Sequence, residues 1–405
     1  MEKPTAALEI SSAEIKLVVG YELDGQPIVL YAMRKPIDAF VERGQVVNLI
    51  GLIEALRDIK EIKDATAKLK LTISEAILLL PPLGLEVYQS DKTTNVVSQT
   101  GTVEAIDILN VISLVRKEVV PHGGQIVDII PDAFELDNGR SFPNPPIGEK
   151  SNSLSISAKI HALPYSVIEN FRRSFKESGI AIKRVFVGPH AASYLFTQDL
   201  ELPTSYLYVD MGAEVTTISL IGNKSLFASI YFEKGGKDLT MSIMRNFNLP
   251  FEEAEKLKRR YGIDHRLMSF HPTIAKSTDL DGQEIEYATS DLNTITEEFV
   301  SDYLLSLKQA INSLMAGYDK KYLKIPMIVS GGLARLNGFD EMISEAFPDN
   351  KIHFTIPKAI GARHQTYVNA LGAILANNRY QTYLEEERPV VTTLTRGSKE
   401  GKERK

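Results

Sequence analysis

The chain has 405 residues, 43% hydrophobic and 24% charged, which is enough apolar material for two or three domains with separate cores. Its 46 basic and 52 acidic residues give a net charge of −6 without an extended basic stripe, which argues against nucleic acid as the main partner. The absence of cysteine excludes disulfides and thiolate metal sites. No segment resembles a signal peptide or an apolar membrane span of about 18 residues, so a cytoplasmic protein is predicted.

The first part of the chain predicts strands followed by a helix and another strand. In the mostly apolar run over residues 8–20, the acid Glu9 is followed by a turn of small residues and then by an alternating strand. This pattern predicts a hairpin of two strands. A helix is then predicted over residues 49–59 and a buried strand over residues 70–80. The pair Pro81-Pro82 marks a boundary at the end of this unit.

Residues 83–163 predict a small inserted α+β domain. A helix is predicted over residues 103–119, where apolar side chains recur at helical spacing. The predicted strands around it are residues 85–89, 93–98, 125–131 and 154–162. An amphipathic helix over residues 165–179 and a strand over residues 182–187 then return the chain to the first lobe.

The centre of the chain carries a second unit of strand, acid and tight turn. An apolar run ends at Asp210, Gly212 allows the backbone to turn sharply, and further strands are predicted over residues 216–221 and 226–232. The acid therefore stands at the mouth of a hairpin and not before the helix that a dinucleotide-binding fold would place there. Such a turn can present backbone N–H groups to phosphate oxygens while the carboxylate holds the water shell of a metal ion.

The two hairpins match each other in residue pattern and lie about 200 residues apart, which predicts two related lobes facing each other across a cleft. This arrangement resembles the superfamily of actin, heat-shock chaperones and sugar kinases (ASKHA). The predicted fold class is therefore α/β, an actin-like two-lobed fold with an inserted small α+β domain. The remaining predicted helices are residues 189–196, 237–247, 250–261, 291–318, 340–346 and 368–377, with a variable loop over residues 265–282.

Four stretches resemble FtsA, the actin-like bacterial cell-division family, in matching order and spacing over about residues 6–380. They are residues 128–148 in the inserted domain, residues 234–240 after the second hairpin, the helix 253–262 and the loop 330–338. The resemblance divides the chain into a first lobe (residues 1–82, 164–201 and about 345–384), the inserted domain (83–163), a second-lobe core (202–245 and 291–344), a small subdomain (246–290) and a disordered polar tail (385–405).

The FtsA resemblance also implies binding of ATP with Mg²⁺. The implied nucleotide-binding residues are Glu9, Ser11, Ser12, Lys16, Asp210, Gly212, Ala213, Gly235, Gly236, Glu255, Lys258, Gly331, Gly332 and Leu333, and the implied metal-site residues are Glu9 and Asp210. For Glu9 a plain turn acid is the alternative, and for Glu255 and Lys258 it is an ion pair on a helix surface.

The chain departs from the family pattern in its phosphate and adenosine loops. Glu9 replaces aspartate, and Ser11, Ala213, Glu214 and Leu333 stand where glycine is usual. Added bulk hinders backbone contacts to phosphate. A carboxylate about 4 Å from a phosphate charge is repelled by about 4 kcal/mol at an effective dielectric constant of about 20. Weak nucleotide binding is therefore predicted.

By this resemblance the chain is a cell-division scaffold at the inner face of the membrane at midcell. It would bind the C-terminal tail of FtsZ, self-associate into filaments and recruit later divisome proteins to the septum. No nucleophile with a paired base is apparent, so at most a weak ATPase is expected. Two alternatives remain open: a scaffold like PilM of type IV pili, which has an inserted domain in a similar place, and an ASKHA-family phosphotransferase.

The last ten residues predict weak membrane attraction at most. They contain five basic and two acidic side chains and no apolar anchor. Membrane contact is therefore expected to be indirect, or to need an anchor that the sequence does not include.

Overall fold

The structure is a computed structural model that describes residues 3–384 and 394–396, apart from residues 38, 65–68, 198, 200, 264–271, 279–281 and 319–323. Its strands are β1 (Thr5–Ile10), β2 (Glu14–Leu23), β3 (Gln26–Pro36), β4 (Val41–Glu42), β5 (Gln45–Val46), β6 (Glu61–Asp64), β7 (Leu69–Thr72), β8 (Glu75–Leu80), β9 (Glu86–Asn95), β10 (Gly124–Leu136), β11 (Ser141–Phe142), β12 (Ser153–Pro164), β13 (Ala181–Val187), β14 (Ser205–Met211), β15 (Thr216–Gly222), β16 (Ser225–Phe232), β17 (Thr273–Thr278), β18 (Glu284–Ala288), β19 (Met327–Ser330), β20 (Ile352–Phe354) and β21 (Leu394–Arg396). Its helices are α1 (Leu49–Lys60), α2 (Ala105–Arg116), α3 (Tyr165–Ser178), α4 (Gly188–Phe196), α5 (Gly236–Phe247), α6 (Phe251–Tyr261), α7 (Thr289–Leu314), α8 (Phe339–Ala346) and α9 (Val368–Leu384).

Each lobe is built on a sheet with the same local topology. Among the described residues, the first sheet has the order β13-β8-β1-β2-β3 and the second the order β16-β15-β14-β19-β20. In both sheets a hairpin pairs antiparallel on one side of its first strand, and a later strand pairs parallel on the other side. The predicted pair of related lobes is thus observed, with one hairpin turn from each lobe at the cleft.

The lobes share apolar contacts below the cleft. The ring of Phe196 at the end of α4 lies 5.8 Å from the ring of Tyr206 and 5.2 Å from that of Tyr208, both on β14. These tyrosines are buried in the cluster that also contains the first-lobe core residues Leu17 and Phe171. Burial of such large aromatic surfaces gives the two lobes a common base, and the hairpin turns lie above it.

The inserted domain has its own core. Its sheet has the order β11-β10-β12-β9, and α2 packs on it through residues such as Val111 and Val115. The two short strands predicted over residues 85–98 are one continuous strand, β9, which pairs with β12 along its whole length. The middle of β9 is polar, so the sequence does not show that the strand is continuous. In a strand only every second side chain faces the core.

Four other predictions about the chain path were wrong in part. The apolar run 70–80 divides at Ser74 into β7 and β8, which belong to different sheets, because continuous apolarity does not mark a bend. The predicted loop 265–282 contains β17, whose pairing with β18 is supported by ion pairs from Lys276 to Glu284 and Glu286. This strand was missed because its residues are mostly polar and do not alternate between apolar and polar. Residues 264–271 and 279–281 of that loop lie outside the described part.

The end of the chain supplies the other two corrections. β20 pairs with β19 in the second sheet, so the return to the first lobe comes after residue 354 and not near residue 345. Of the predicted disordered tail, residues 394–396 form β21, which adds to the edge of β7 by backbone pairing. Residues 385–393 and 397–405 lie outside the described residues. None of the helices in the described part combines the length and apolarity needed to cross a membrane.

Candidate functional site

The two hairpin turns bring the predicted metal-site acids together around one amide. Asn369, at the start of α9, donates from Nδ2 to Glu9 Oε1 at 3.0 Å and to Asp210 Oδ2 at 3.3 Å. Its Oδ1 accepts from the Tyr208 hydroxyl at 3.2 Å. Asn369 therefore connects the first-lobe acid to the second-lobe acid, a role that no motif in the sequence indicates.

Glu9 forms a buried ion pair with the other predicted residue of its hairpin. Lys16 Nζ lies 3.3 Å from Glu9 Oε1. Burial raises the pKa of the Glu9 carboxyl despite the opposing charge of Lys16. Burial also disfavours the Lys16 ammonium, but the charges of Glu9, Asp210 and Glu14 outweigh it and raise the pKa of Lys16. The pair is thus an internal ion pair, and not the lone turn acid considered as an alternative.

One oxygen of this cluster is left without a hydrogen bond among the described residues. It is Glu9 Oε2, which is buried. Within the same residues no three His, Asp or Glu side chains converge closely enough to hold a metal ion directly. The metal role implied for Glu9 and Asp210 would therefore depend on the water ligands of the ion.

Glu214 does not turn away to solvent but faces the first lobe. Its Oε2 accepts from the Arg43 backbone N–H at 2.7 Å, and its Oε1 accepts from Lys237 Nζ at 2.6 Å. The neighbouring Ser12 hydroxyl also favours the charged form of this carboxylate and so lowers its pKa. Burial raises the pKa of the Glu214 carboxyl, but the hydrogen bonds from Lys237, Arg43 and Ser12 outweigh it and hold that pKa below its ordinary value. We call these four residues the Glu214 bridge.

The N-terminus of α5 is occupied by hydrogen bonds within the second lobe. The N–H groups of Gly236 and Lys237 donate to the carbonyl oxygens of Gly212 and Ala213 at 3.0 and 2.7 Å, and the Gly235 N–H donates to Asp238 Oδ2 at 2.8 Å. A Cβ at Gly235 would lie 2.5 Å from the Gly212 carbonyl oxygen, so this close approach requires glycine. The donors that a helix N-terminus offers to phosphate are used internally here.

The predicted ribose and adenine residues tie α6 to α5. Lys258 Nζ lies 2.6 Å from Glu255 Oε2 and donates to the Gly236 carbonyl at 2.8 Å and to Thr240 Oγ1 at 2.7 Å. Burial lowers the pKa of Lys258 against the opposing charge of Glu255. The pair is largely buried, so the alternative of an ion pair on a helix surface does not describe it.

The loop over residues 330–338 packs against the second hairpin. Gly331 has a φ of 96°, and a Cβ there would lie 2.3 Å from the Met211 carbonyl oxygen, so only glycine fits. Leu333 is 3% exposed and belongs to the second-lobe core. The expectation that Leu333 adds bulk to the cleft is therefore wrong, because its side chain packs inward. A Cβ at Gly332 would meet no described atom within 4 Å, so packing does not require glycine at this position.

Sequence reasoning missed a second contact between the lobes, centred on His364. Its Nε2 lies 3.1 Å from Arg34 Nη1 on β3 and also contacts Arg335 Nη1 of the second lobe. Burial and the charges of these two arginines lower the pKa of His364 to about 4, so the ring is neutral at pH 7. Arg34 stands in no recognisable motif, and the FtsA-like loop that contains Arg335 gives no indication of a contact with His364, so only the fold brings the three residues together.

A groove of about 620 Å³ opens between α5 and α7, and Arg43, Glu214 and Lys237 of the Glu214 bridge form part of its lining. Its apolar lining includes Met241, Ile295 and Phe299. Charged residues of both signs surround these side chains, among them Arg245 and Glu298. The groove therefore combines an apolar floor with a charged rim.

Two lobes with related sheets, an acid at each hairpin turn and an inserted domain define an actin-like protein, as predicted. A structure of the PilM–PilN type IV pilus biogenesis complex matches with a TM-score of 0.60 and 15% identity, covering 93% of this chain and 99% of that chain. MreB5 of Spiroplasma citri bound to ADP matches with a TM-score of 0.56 and 13% identity, covering 95% and 99%. At these identities the likeness shows the fold alone.

The family is indicated by sequence similarity. The profile of the family described as "Cell division protein FtsA" matches residues 207–372. The cell division protein FtsA of Enterococcus faecalis is 24% identical over 368 residues, which cover 91% of this chain and 82% of that relative. The chain is similar in sequence to FtsA over most of its length, which confirms the resemblance found in the sequence. PilM, the alternative, is similar in fold only.

Proposed function

We propose that this chain is a cell-division scaffold that binds the C-terminal tail of FtsZ, self-associates into filaments and recruits later divisome proteins at the membrane of the division site. The observation that carries the proposal is the similarity to FtsA over 91% of the chain, which includes both lobes and the inserted domain.

The groove between α5 and α7 is the proposed docking site for the FtsZ tail. It adjoins the small subdomain over residues 246–290 to which the FtsA resemblance assigns this partner, and Asn246 lies in both. The apolar floor formed by Met241, Ile295 and Phe299 can bury the apolar side chains of a peptide, and the charged rim can fix its direction. A short peptide that buries a few apolar side chains typically binds with micromolar affinity.

Substitution of the groove floor should weaken this binding. We expect Phe299→Ala to reduce the affinity for a fluorescent FtsZ tail peptide by about tenfold, which corresponds to about 1.4 kcal/mol, measured by anisotropy. Leu305→Ala is the control, because Leu305 is on the same helix but is 55% exposed and does not line the groove. Equal affinities of the two variants would contradict the assignment. An unchanged melting temperature establishes that both variants are folded.

The inserted domain is proposed to make filament contacts through α2. Ile106, Leu109 and Leu114 lie on this helix and are 45%, 36% and 38% exposed, an unusual set of apolar side chains on one surface. We expect Leu109→Asp to abolish sedimentation of filaments while the circular dichroism spectrum stays unchanged. The control is Val119→Asp, which makes the same change of charge at an 88% exposed apolar residue beyond the end of α2. Sedimentation of the Leu109→Asp variant at the wild-type level would exclude this face from the filament.

ATP with Mg²⁺ is proposed only as a weak ligand. The α5 N–H groups are used internally, Glu214 places a negative charge in the cleft, and Lys258 is engaged by three partners. The described residues therefore do not fit a tightly held polyphosphate in this arrangement. The phosphotransferase alternative requires ATP turnover that is lost in Asp210→Ala. If the wild type shows no such turnover, the phosphotransferase alternative is excluded.

A further inference from the structure

The mouth of the cleft is spanned by a carboxylate of the protein itself. Glu214 lies in the turn of the second-lobe hairpin, between β14 and β15. Arg43 lies in the turn between β4 and β5, and Ser12 lies in the β1–β2 turn, so both belong to the first lobe. Glu214 therefore accepts a hydrogen bond from the Arg43 turn of the first lobe, and the Ser12 hydroxyl of a second first-lobe turn stabilises its charge.

The donors around Glu214 are of the kinds that bind phosphate oxygens in proteins. They are a backbone N–H from Arg43 and an ammonium from Lys237, with the Ser12 hydroxyl as a neighbouring polar group. The φ of 47° at Arg43 and of 76° at Gly44 belongs to a tight turn that directs this N–H outward. The Arg43 guanidinium continues the contact, because its Nη1 lies 2.5 Å from Glu233 Oε2 of the second lobe.

We infer that Glu214 is an internal anion that holds the two lobes together at the place where an actin-like protein holds the phosphates of its nucleotide. Closure of the cleft is then a property of the folded chain and does not require ATP. The carboxylate and the polyphosphate also compete, because both need the same donors and the charges repel each other. The inference does not depend on FtsZ binding or on filament formation.

The absence of cysteine makes a direct measurement of lobe closure possible. The pair Val47→Cys and Leu305→Cys places one thiol on each lobe at positions that are both 55% exposed, and spin labels on them report the lobe–lobe distance by pulsed electron resonance. In the otherwise unchanged chain we expect a single narrow distance distribution that saturating Mg-ATP does not alter. Glu214→Ala should broaden the distribution and shift it to longer distances.

Calorimetric titration with Mg-ATP tests the competition independently of any opening. Glu214→Gln keeps the size of the side chain but removes its charge, and we expect it to bind Mg-ATP at least about tenfold more tightly than the wild type. Glu149→Gln is the matched control, because Glu149 pairs with Arg140 in the inserted domain, away from the cleft. This control should leave both the distance distribution and the affinity unchanged.

Two results would overturn the inference. One is an identical distance distribution in the wild type, Glu214→Ala and Glu149→Gln. The other is a wild-type distribution that is broad without nucleotide and narrows when Mg-ATP is added, because ATP and not Glu214 would then close the cleft. If Glu214→Ala proves too unstable to label, the comparison of Glu214→Gln with Glu149→Gln by calorimetry decides the question: equal affinities refute competition at this site.

Discussion

Gly372→Ala is expected to lower the free energy of unfolding by about 3 kcal/mol, although alanine is the better helix former by about 1 kcal/mol. A Cβ at Gly372 on α9 would lie 2.1 Å from the Ala191 carbonyl oxygen and 2.9 Å from the Ala192 Cα on α4. Both atoms belong to the backbone of a packed helix, so the clash with the added Cβ can be relieved only by moving α4 away from α9. Urea unfolding followed by circular dichroism measures the loss.

The control for this substitution is Gly317→Ala. Among the described residues, no atom lies within 4 Å of a Cβ built at Gly317, and its φ is not in the left-handed region. The same chemical change there should alter the free energy of unfolding by less than about 1 kcal/mol. If Gly372→Ala were as stable as Gly317→Ala, the contact between α4 and α9 would not be as close as the structure shows it.

The sequence predicted the helices that correspond to α4 and α9 but not their packing, and it predicted the hairpins from alternation, because such signals come from neighbouring residues. Asp210 and Gly212 were found in this way, since an apolar strand that ends in an acid and a glycine is a local pattern. The two lobes followed from the repetition of that pattern. The fold class could therefore be derived before the structure was known.

The contacts between the lobes could not be derived in this way. The direction of the Glu214 side chain depends on Arg43, which is 171 residues away, and Asn369 meets Glu9 across 360 residues. Arg43 stands in a short turn without a motif, and Asn369 stands in a helix of small residues. Local patterns carry no information about such pairs, so the sequence predicted the repulsive charge of Glu214 but not its partners.

The second large effect is expected at Asp128, which lies on β10 where the inserted domain meets the first lobe. Its Oδ2 lies 3.8 Å from Nε2 of the buried His190 on α4, and its Oδ1 accepts from the Ile129 N–H at 3.0 Å. Burial raises the pKa of the Asp128 carboxyl to about 7, against the opposing charge of Arg184. The carboxyl is therefore disfavoured in its charged form when the chain is folded.

The sign of the pH dependence follows from this raised pKa. Between the ordinary pKa of 3.8 and the folded value of about 7, the folded chain binds the proton more tightly than the unfolded chain does. Asp128 therefore reduces the free energy of unfolding as the pH rises through this window, and the reduction is complete above pH 7. At about 1.4 kcal/mol per pH unit, the cost at pH 8 is at most about 4 kcal/mol.

Asp128→Asn removes the ionisation while keeping the shape of the side chain. We expect this variant to be about 2 kcal/mol more stable than the wild type at pH 8, half of the upper bound, because the charge of Arg184 and local relaxation offset part of the cost. At pH 4 the two proteins should be equally stable, since Asp128 is then mostly protonated in the folded chain. Urea unfolding at pH 4, 6 and 8 measures the divergence of the two curves.

The control for Asp128→Asn is Asp132→Asn on the same strand. Asp132 pairs with Lys159 at 2.6 Å and is partly exposed, so its removal should cost less than about 1 kcal/mol and give no gain at pH 8. A difference between Asp128→Asn and the wild type that stays constant from pH 4 to pH 8 would show that Asp128 ionises as easily in the folded chain as in the unfolded one. The junction between the inserted domain and the first lobe would then be open to water, in contrast to the buried arrangement of Asp128 and His190.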